Sequence, residues 1–298
     1  MIDSGMSSWL RCPHDRSGLL LQLPVGAAPK DLDGELQCSA CGRTYPVEAG
    51  IPRFLTEKSN DLCELQRFEM ELRDNQYSAR PNGGVEAWDA PELDAIKAAL
   101  GDSRGLSVLD AGCGTGKFNL AIRNAECVLG IDFSWEGLIR FQRPSCASLG
   151  LVQADITHMP FRDDLFDVAL SCQVLSHLPT VELRSQFLSE LARVLKPGGR
   201  LILTAMHYSF RYRRRQVPQE AVEDGSFYHR FEVEEFRELL SEWFTILSLH
   251  GYWIYLPKTY WLFVALGSKR VYWDRIWRSH PLSLTYGKYL LAACSPKI

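Results

Sequence analysis

Residues 108–117, Val-Leu-Asp-Ala-Gly-Cys-Gly-Thr-Gly-Lys, place three glycines in five positions behind a short apolar run. Glycines at a strand-to-helix turn adopt backbone angles closed to other residues and let a ligand approach the main chain closely. Three kinds of ligand use such turns: nucleoside triphosphates, dinucleotides and sulfonium nucleosides. The triphosphate loop requires Gly-x-x-x-x-Gly-Lys-Ser/Thr. Here Ala111 stands five positions before Gly116 and Phe118 follows Lys117, so the first glycine and the magnesium-binding hydroxyl are both missing. The dinucleotide fingerprint Gly-x-Gly-x-x-Gly is met by Gly112 and Gly114, but Lys117 occupies the place of its third glycine.

Outward from this turn, apolar strands alternate with amphipathic helices. Strands are expected at 106–112, 127–134, 149–156, 166–175 and 200–206. Helices are expected at Lys117–Asn124, Trp135–Gln142 and Val181–Leu195. A helix at Val233–Ser241 and strands at 244–253 and 289–295 follow. This alternation predicts an α/β fold, a doubly wound, Rossmann-like sheet of seven mostly parallel strands. Three strands end in acids: Asp110, Asp132 and Asp155. A carboxylate at Asp110 would repel phosphate but attract an α-amino group or a sulfonium. Asp132 can accept hydrogen bonds from both hydroxyls of a ribose, and Asp155 is placed to receive the amino group of adenine.

The ordered motifs "VLDAGCGTG", "GIDFS", "QADITHMPFRDDLFDVALS" and "ELARVLKPGGRLILT" resemble the class I S-adenosylmethionine-dependent methyltransferases of the methyltransferase type 11 kind. The resemblance covers about residues 105–207. It implies that Gly112, Gly114 and Gly116 cradle the methionine part of S-adenosylmethionine, with Asp110 near its amino group. Asp132 would hold the ribose, Phe133 would pack by the nucleoside, and Asp155 with Ile156 would recognise adenine. Gln173, leaving the fourth strand, would lie beside the cofactor. His177, just beyond that strand, is the best-placed general base if the acceptor must lose a proton.

The first 55 residues have a different texture, with short strand-like runs between turns. Cys12, Cys38 and Cys41 supply three thiols, and "CPHD" puts His14 or Asp15 where a fourth donor would complete a tetrahedral zinc site. This stretch resembles the small zinc-ribbon-like proteins that activate methyltransferases, with Asp15 in place of the expected cysteine. The expected organisation is a ribbon-like module at 1–55, a linker of cofactor-covering helices at 56–100, and a methyltransferase domain at 101–298.

Ligands of open α/β sheets bind outside the carboxyl ends of the strands, so insertions there shape the acceptor site. "HYSFRYRRRQ" at 207–216 interleaves arginines with aromatics, as phosphate and base contacts require. Residues 253–280 hold four of the chain's eight tryptophans and suit an apolar pocket, a subunit interface or peripheral contact with a membrane surface. A near-neutral formal net charge of −3 and this aromatic insertion favour a small-molecule, lipid or sugar-linked acceptor over RNA. The arginine loop, the ribbon and a likeness of "YHRFEVEEFRELL" at 228–240 to tRNA-modifying methyltransferases keep RNA as the alternative, and a non-catalytic cofactor-binding scaffold is a third reading. No apolar run approaches the ~20 residues that span a bilayer, and no secretory signal is visible. The nine cysteines then suggest a reducing compartment, the cytoplasm.

Overall fold

The computed structural model describes residues 8–22, 33–55, 62–79, 89–256 and 265–297. Its centre is a seven-stranded sheet formed by β5 (Ser107–Ala111), β6 (Cys127–Asp132), β7 (Ser148–Gln153), β8 (Phe166–Cys172), β9 (Leu195–Met206), β12 (Phe244–Ile254) and β13 (Gly287–Pro296). The spatial order is β12-β13-β9-β8-β5-β6-β7. β5 to β9 run parallel, and β13 lies antiparallel to both of its neighbours. The central strands are continuous apolar runs because helices cover both faces; every residue of β6 is buried. The chain winds outward from β5 to β6 and β7 on one side, and β8 and β9 lie on the other. The crevice where ligands enter such sheets therefore opens at the carboxyl ends of β5 and β8.

Local chemistry fixes the helix boundaries. α5 (Val181–Val194) starts where the Thr180 hydroxyl accepts from the Leu183 amide, and it buries Phe187, Leu188, Leu191 and Val194 against the sheet. α7 (Val233–Trp243) opens on a capping box between Glu232 and Glu235. Two helices are shorter than the sequence pattern suggests. α3 is Asn119–Ile122 and α4 is Trp135–Ile139. After Ile139 the chain turns back on the glycine loop: the Gln142 amide bonds the Thr115 carbonyl, and its own carbonyl accepts from the Asn119 side chain. Closing that loop takes precedence over helix continuation.

The N-terminal module is a four-stranded antiparallel sheet: β1 (Leu19–Gln22), β2 (Gly34–Cys38), β3 (Thr44–Glu48) and β4 (Ile51–Pro52). It is not a separate bead. Just past β4, Arg53 pairs in parallel with Gln153 at the end of β7, the edge strand, and the Phe54 amide donates to the Gln153 carbonyl at 2.8 Å. On the other side, Leu10 bridges Phe161, and Arg16 reaches Glu190 at 2.7 Å. Leu10, Leu36, Tyr45 and Phe54 belong to the same buried apolar cluster as Val152, Phe161 and Phe166. The linker supplies α1 (Glu64–Ala79) and α2 (Ala90–Leu100). The remaining elements are α6 (Phe210–Arg214), the hairpin β10 (Glu220–Glu223) with β11 (Ser226–His229), α8 (Arg270–Arg278) and α9 (Ser283–Tyr286).

Candidate functional site

A cavity of about 700 Å³ opens at the carboxyl ends of β5 and β8. Asp110, Gly112, Gly114, Asp132, Phe133, Asp155, Ile156 and Gln173 all line it. Gly116 is not on this wall; with φ +79° it turns the chain behind the loop against Asn119. Gly112 and Gly114 both have positive φ. A Cβ on Gly112 would collide with Val174, and one on Gly114 would lie 2.6 Å from the Tyr77 hydroxyl. The loop packs this closely against Val174 and Tyr77 only because these positions lack side chains.

The acids at the strand ends have distinct settings. Asp132 accepts from the Gly114 amide at 2.7 Å and the Ser134 amide at 2.8 Å, so it ties the glycine loop to the next turn. The Asp110 carboxyl has no hydrogen-bond partner among the described residues. Burial, together with the charge of Asp132, pushes Asp110 up to about 7. Burial raises Asp132 to about 6 against the pull of its two amide donors. Arg73 offsets part of the charge of Asp132 but no such partner is recorded for Asp110, so this buried pair is of a kind that can receive a cation. Asp155 accepts from the Thr157 amide at 2.9 Å and the Thr157 hydroxyl at 2.7 Å, which fixes its orientation. Gln173, at φ +66°, donates its side-chain amide to Glu92 at 3.1 Å and to the Tyr252 hydroxyl at 2.9 Å.

α1 roofs the cavity with Gln66, Glu69, Arg73, Gln76 and Tyr77. It is anchored by Asp74, which accepts from the Ser134 hydroxyl at 2.5 Å and the Glu136 amide at 3.0 Å. Buried Glu69 accepts from Arg73 and, at 2.8 and 2.9 Å, from the Ser226 hydroxyl of the β10–β11 hairpin. His177 closes this cluster. Its Nδ1 donates to the Phe227 carbonyl at 2.9 Å, and its Nε2 lies 3.3 Å from the Arg73 guanidinium. Burial and the Arg73 charge push the imidazole down to about 4, so at neutral pH it is uncharged and binds a proton weakly.

In the module, Cys12, Asp15, Cys38 and Cys41 converge, with ligand atoms all within 4.8 Å of one another; Asp15, not His14, completes the set. Cys12 and Cys41 sulfurs are 3.8 Å apart, and Cys38 Sγ is 3.4 Å from Asp15. A tetrahedral zinc ion with sulfur ligands near 2.3 Å spaces them by about 3.8 Å. The Ala40 and Cys41 amides point at Cys38 Sγ from 3.4 Å, and although burial opposes it they hold this thiol below its usual value.

Residues 109–203 match the family model "Methyltransferase domain", and residues 6–50 match "Trm112p-like protein". The chain carries a methyltransferase domain and a Trm112p-like module. The tRNA (carboxymethyluridine(34)-5-O)-methyltransferase of Arabidopsis thaliana is 38% identical over 116 residues, covering 38% of this chain and 27% of that protein. The malonyl-[acyl-carrier protein] O-methyltransferase of Pseudescherichia vulneris is 33% identical over 167 residues, covering 56% of this chain and 62% of that protein. This chain therefore spans less than two thirds of the length of either relative. Among solved structures, an S-adenosylmethionine-dependent methyltransferase from Mesorhizobium loti aligns with a TM-score of 0.53 at 22% identity, over 70% of this chain and 100% of that one. The complex between the Haloferax volcanii Trm112 methyltransferase activator and a methyltransferase aligns with a TM-score of 0.51 at 19% identity, over 77% of this chain and 98% of that one. These likenesses are likenesses of fold.

Around the methyltransferase domain's cavity, the structure adds what no linear motif marks. Arg73, Glu69 and Tyr77 lie in an amphipathic helix whose apolar spacing gives no hint of a polar roof. Glu92, in α2, reaches Gln173, Thr204 and Tyr252. The arginine loop folds into α6, where Arg211, Arg213, Arg214 and Arg215 are exposed. Part of the aromatic insertion, with Tyr260, Trp261 and Phe263, lies outside the described residues. Its helix α8 docks by charge: buried Asp274 accepts from the Trp253 and Ile254 amides and pairs with Arg278 at 3.1 Å, while Tyr272 and Ile276 face outward. No helix among the described residues is long and apolar enough to cross a membrane.

Proposed function

We propose that the chain is a methyltransferase that uses S-adenosylmethionine to methylate RNA, and that zinc at Cys12, Asp15, Cys38 and Cys41 braces the Trm112p-like module. The observation that carries the donor assignment is the buried acid pair at the glycine loop, in which Asp110 has no hydrogen-bond partner among the described residues. A ligand with an ammonium and a sulfonium supplies the missing positive charge, whereas a pyrophosphate would add to the repulsion. The donor, when bound, brings a methyl group activated by positive sulfur. Asp110 receives its amino group, Asp132 its ribose hydroxyls, and Asp155 with Ile156 its adenine; Phe133 packs beside the nucleoside and Gln173 beside the methionine part. With a good leaving group already in place, the protein's main contribution is alignment in a closed cavity. A neutral His177 held by Arg73 and Phe227 orients the acceptor side, and its weak basicity suits an acceptor that arrives already deprotonated.

RNA gains support over the small-molecule, lipid or sugar-linked acceptor from the likeness to the tRNA methyltransferase of Arabidopsis thaliana, 38% identical over 116 residues. The exposed arginines of α6 agree with that reading. The malonyl-[acyl-carrier protein] relative favours a second reading, a small carboxylic acid on a carrier, in which the same donor site serves a different rim. The intact Asp110, Asp132 and Asp155 argue against a scaffold without activity.

The test is incubation with isotopically methyl-labelled S-adenosylmethionine and, separately, total tRNA and a protein-bound acyl fraction. Label in the tRNA supports the proposal, and label confined to the acyl fraction overturns the RNA acceptor. Failure to bind S-adenosylmethionine in calorimetry overturns the methyltransferase reading itself. Metal analysis of the wild type should show one zinc per chain, lost in Cys38→Ser; a metal-free wild type overturns the zinc assignment.

A further inference from the structure

Lys288 stands at the start of β13, where that strand meets the end of β9; its carbonyl accepts from the His207 amide at 3.1 Å. Its ammonium lies 4.7 Å from the Trp253 ring centre and 4.8 Å from that of Tyr289. Among the described residues it has neither a carboxylate partner nor a hydrogen bond. The side chain is half-buried. Its surroundings are mostly cationic. Burial and the charges of Arg211, Arg230 and Lys117 hold the ammonium below the usual lysine value, with Glu92 opposing. A half-buried cation without a counter-ion gives up part of its hydration, and its aromatic neighbours return only some of it.

A chain of contacts links this place to the donor cavity. Gln173 on the cavity wall bonds Tyr252, whose ring stacks on Tyr289 at 5.3 Å, and Tyr289 lies beneath the Lys288 ammonium. Lys117 also lines the cavity. On the outer side, the Arg211 guanidinium lies 5.3 Å from the ring centre of Tyr255, so a second cation and a second aromatic face extend the patch.

We infer that Lys288, beside Arg211, forms an oxyanion site near the donor cavity that takes a backbone phosphate of the RNA acceptor. The inference rests on the RNA reading above. A nucleic-acid backbone presents the anion that this cation lacks. A phosphate here would supply the absent counter-charge and orient a neighbouring nucleotide toward the cavity. Lysine acts in this site as a point charge, so arginine at the same position preserves the function.

The experiment compares wild type, Lys288→Met, Lys288→Arg and Arg211→Gln. The probe is a synthetic RNA stem-loop with an unpaired loop, titrated across a range of salt, with S-adenosylmethionine affinity and thermal melting measured on each variant. Loss of one phosphate contact should flatten the slope of log affinity against log salt by about 0.7 to 1 and weaken binding roughly three- to tenfold near physiological salt. S-adenosylmethionine affinity and melting should hold, and Lys288→Arg should restore the slope. An unchanged slope in Lys288→Met, or a loss confined to S-adenosylmethionine binding, overturns the site while the RNA reading stands. If wild type itself ignores the stem-loop but binds S-adenosylmethionine, the RNA reading fails and the site falls with it.

Discussion

Asp110, Asp132 and Asp155 close one wall of the cavity from consecutive strand ends, all within residues 108–156. The roof above it is assembled from Glu69 and Arg73 of the linker helix with His177 after β8, and Ser226 of a hairpin braces Glu69. The first wall is nearly sequential because each parallel strand ends at the same edge of the sheet, so successive turns stack there. The second depends on elements far apart in the chain meeting over that edge. The donor wall is consequently set by short-range motifs, whereas the roof depends on long-range packing. Their electrostatics also differ. The donor wall has excess negative charge buried within it; the roof and rim carry neutralised or excess positive charge.

The sharpest break in this contrast is Asp132→Ala. It removes a charged acceptor for the ligand and also frees the Gly114 and Ser134 amides. At roughly 1.5–3 kcal/mol for hydrogen bonds to a charged group, S-adenosylmethionine affinity should fall by about 10- to 150-fold in calorimetry. Retained affinity would show that the donor wall does not depend on this acid. On the roof, Glu69→Ala leaves the largely buried Arg73 guanidinium without its carboxylate. Breaking such a pair costs about 3–5 kcal/mol, which should lower the melting temperature by roughly 6 to 20 °C while donor affinity changes less. Equal loss of donor affinity in both variants would erase the distinction between the walls.

The acid pair also predicts a pH dependence. Asp110 and Asp132 are raised to about 7 and 6, so their protonated forms are favoured in the folded protein without ligand, and their ionised forms bind a cation. Affinity for S-adenosylmethionine should therefore rise as the pH climbs to about 7 and level off above it, by up to about tenfold per group and pH unit below each value. The unliganded protein should lose stability from about pH 4, where these acids ionise in the unfolded chain, up to about pH 7, so ligand-induced thermal shifts should grow with pH over that range. Asp110→Asn should flatten the rise. A flat wild-type profile would count against the pair as the cation receptor.

The smallest effect concerns the module's tie to the donor wall. Arg53 lies 4.4 Å from the Trp135 ring centre and donates to Gln153 at 2.8 Å, and Gln153 in turn donates to the Phe133 carbonyl at 3.0 Å. Arg53→Ala should cost about 1 kcal/mol or less and reduce donor affinity by a few-fold at most. No change in calorimetry would confine the module to bracing the apolar edge.

Much of the donor side was legible because its chemistry repeats with the βα unit: a strand, a turn and an acid. Gly116 shows the limit of that reading, since the same turn that carries ligand-facing glycines also needs one that faces away. His177 shows another. Its position after β8 is visible in the chain, but its neutrality follows from burial beside Arg73, which lies in a separate helix. Glu92 carries no motif and becomes intelligible only as the acceptor beneath Gln173, Thr204 and Tyr252. In the module, cysteine spacing marked three donors, and only folding separated Asp15 from its neighbour His14.

The sequence alone determined the parallel α/β core, the glycine turn, its three acids and the ribbon before them. Each depends on residue type and local periodicity. The tertiary structure decided that the module shares a core with the edge of the large sheet, that α1 roofs the cavity, and that Lys288, without a carboxylate partner among the described residues, lies against Trp253 and Tyr289. Burial and distant charge partners set those properties, and neither is a function of neighbours along the chain.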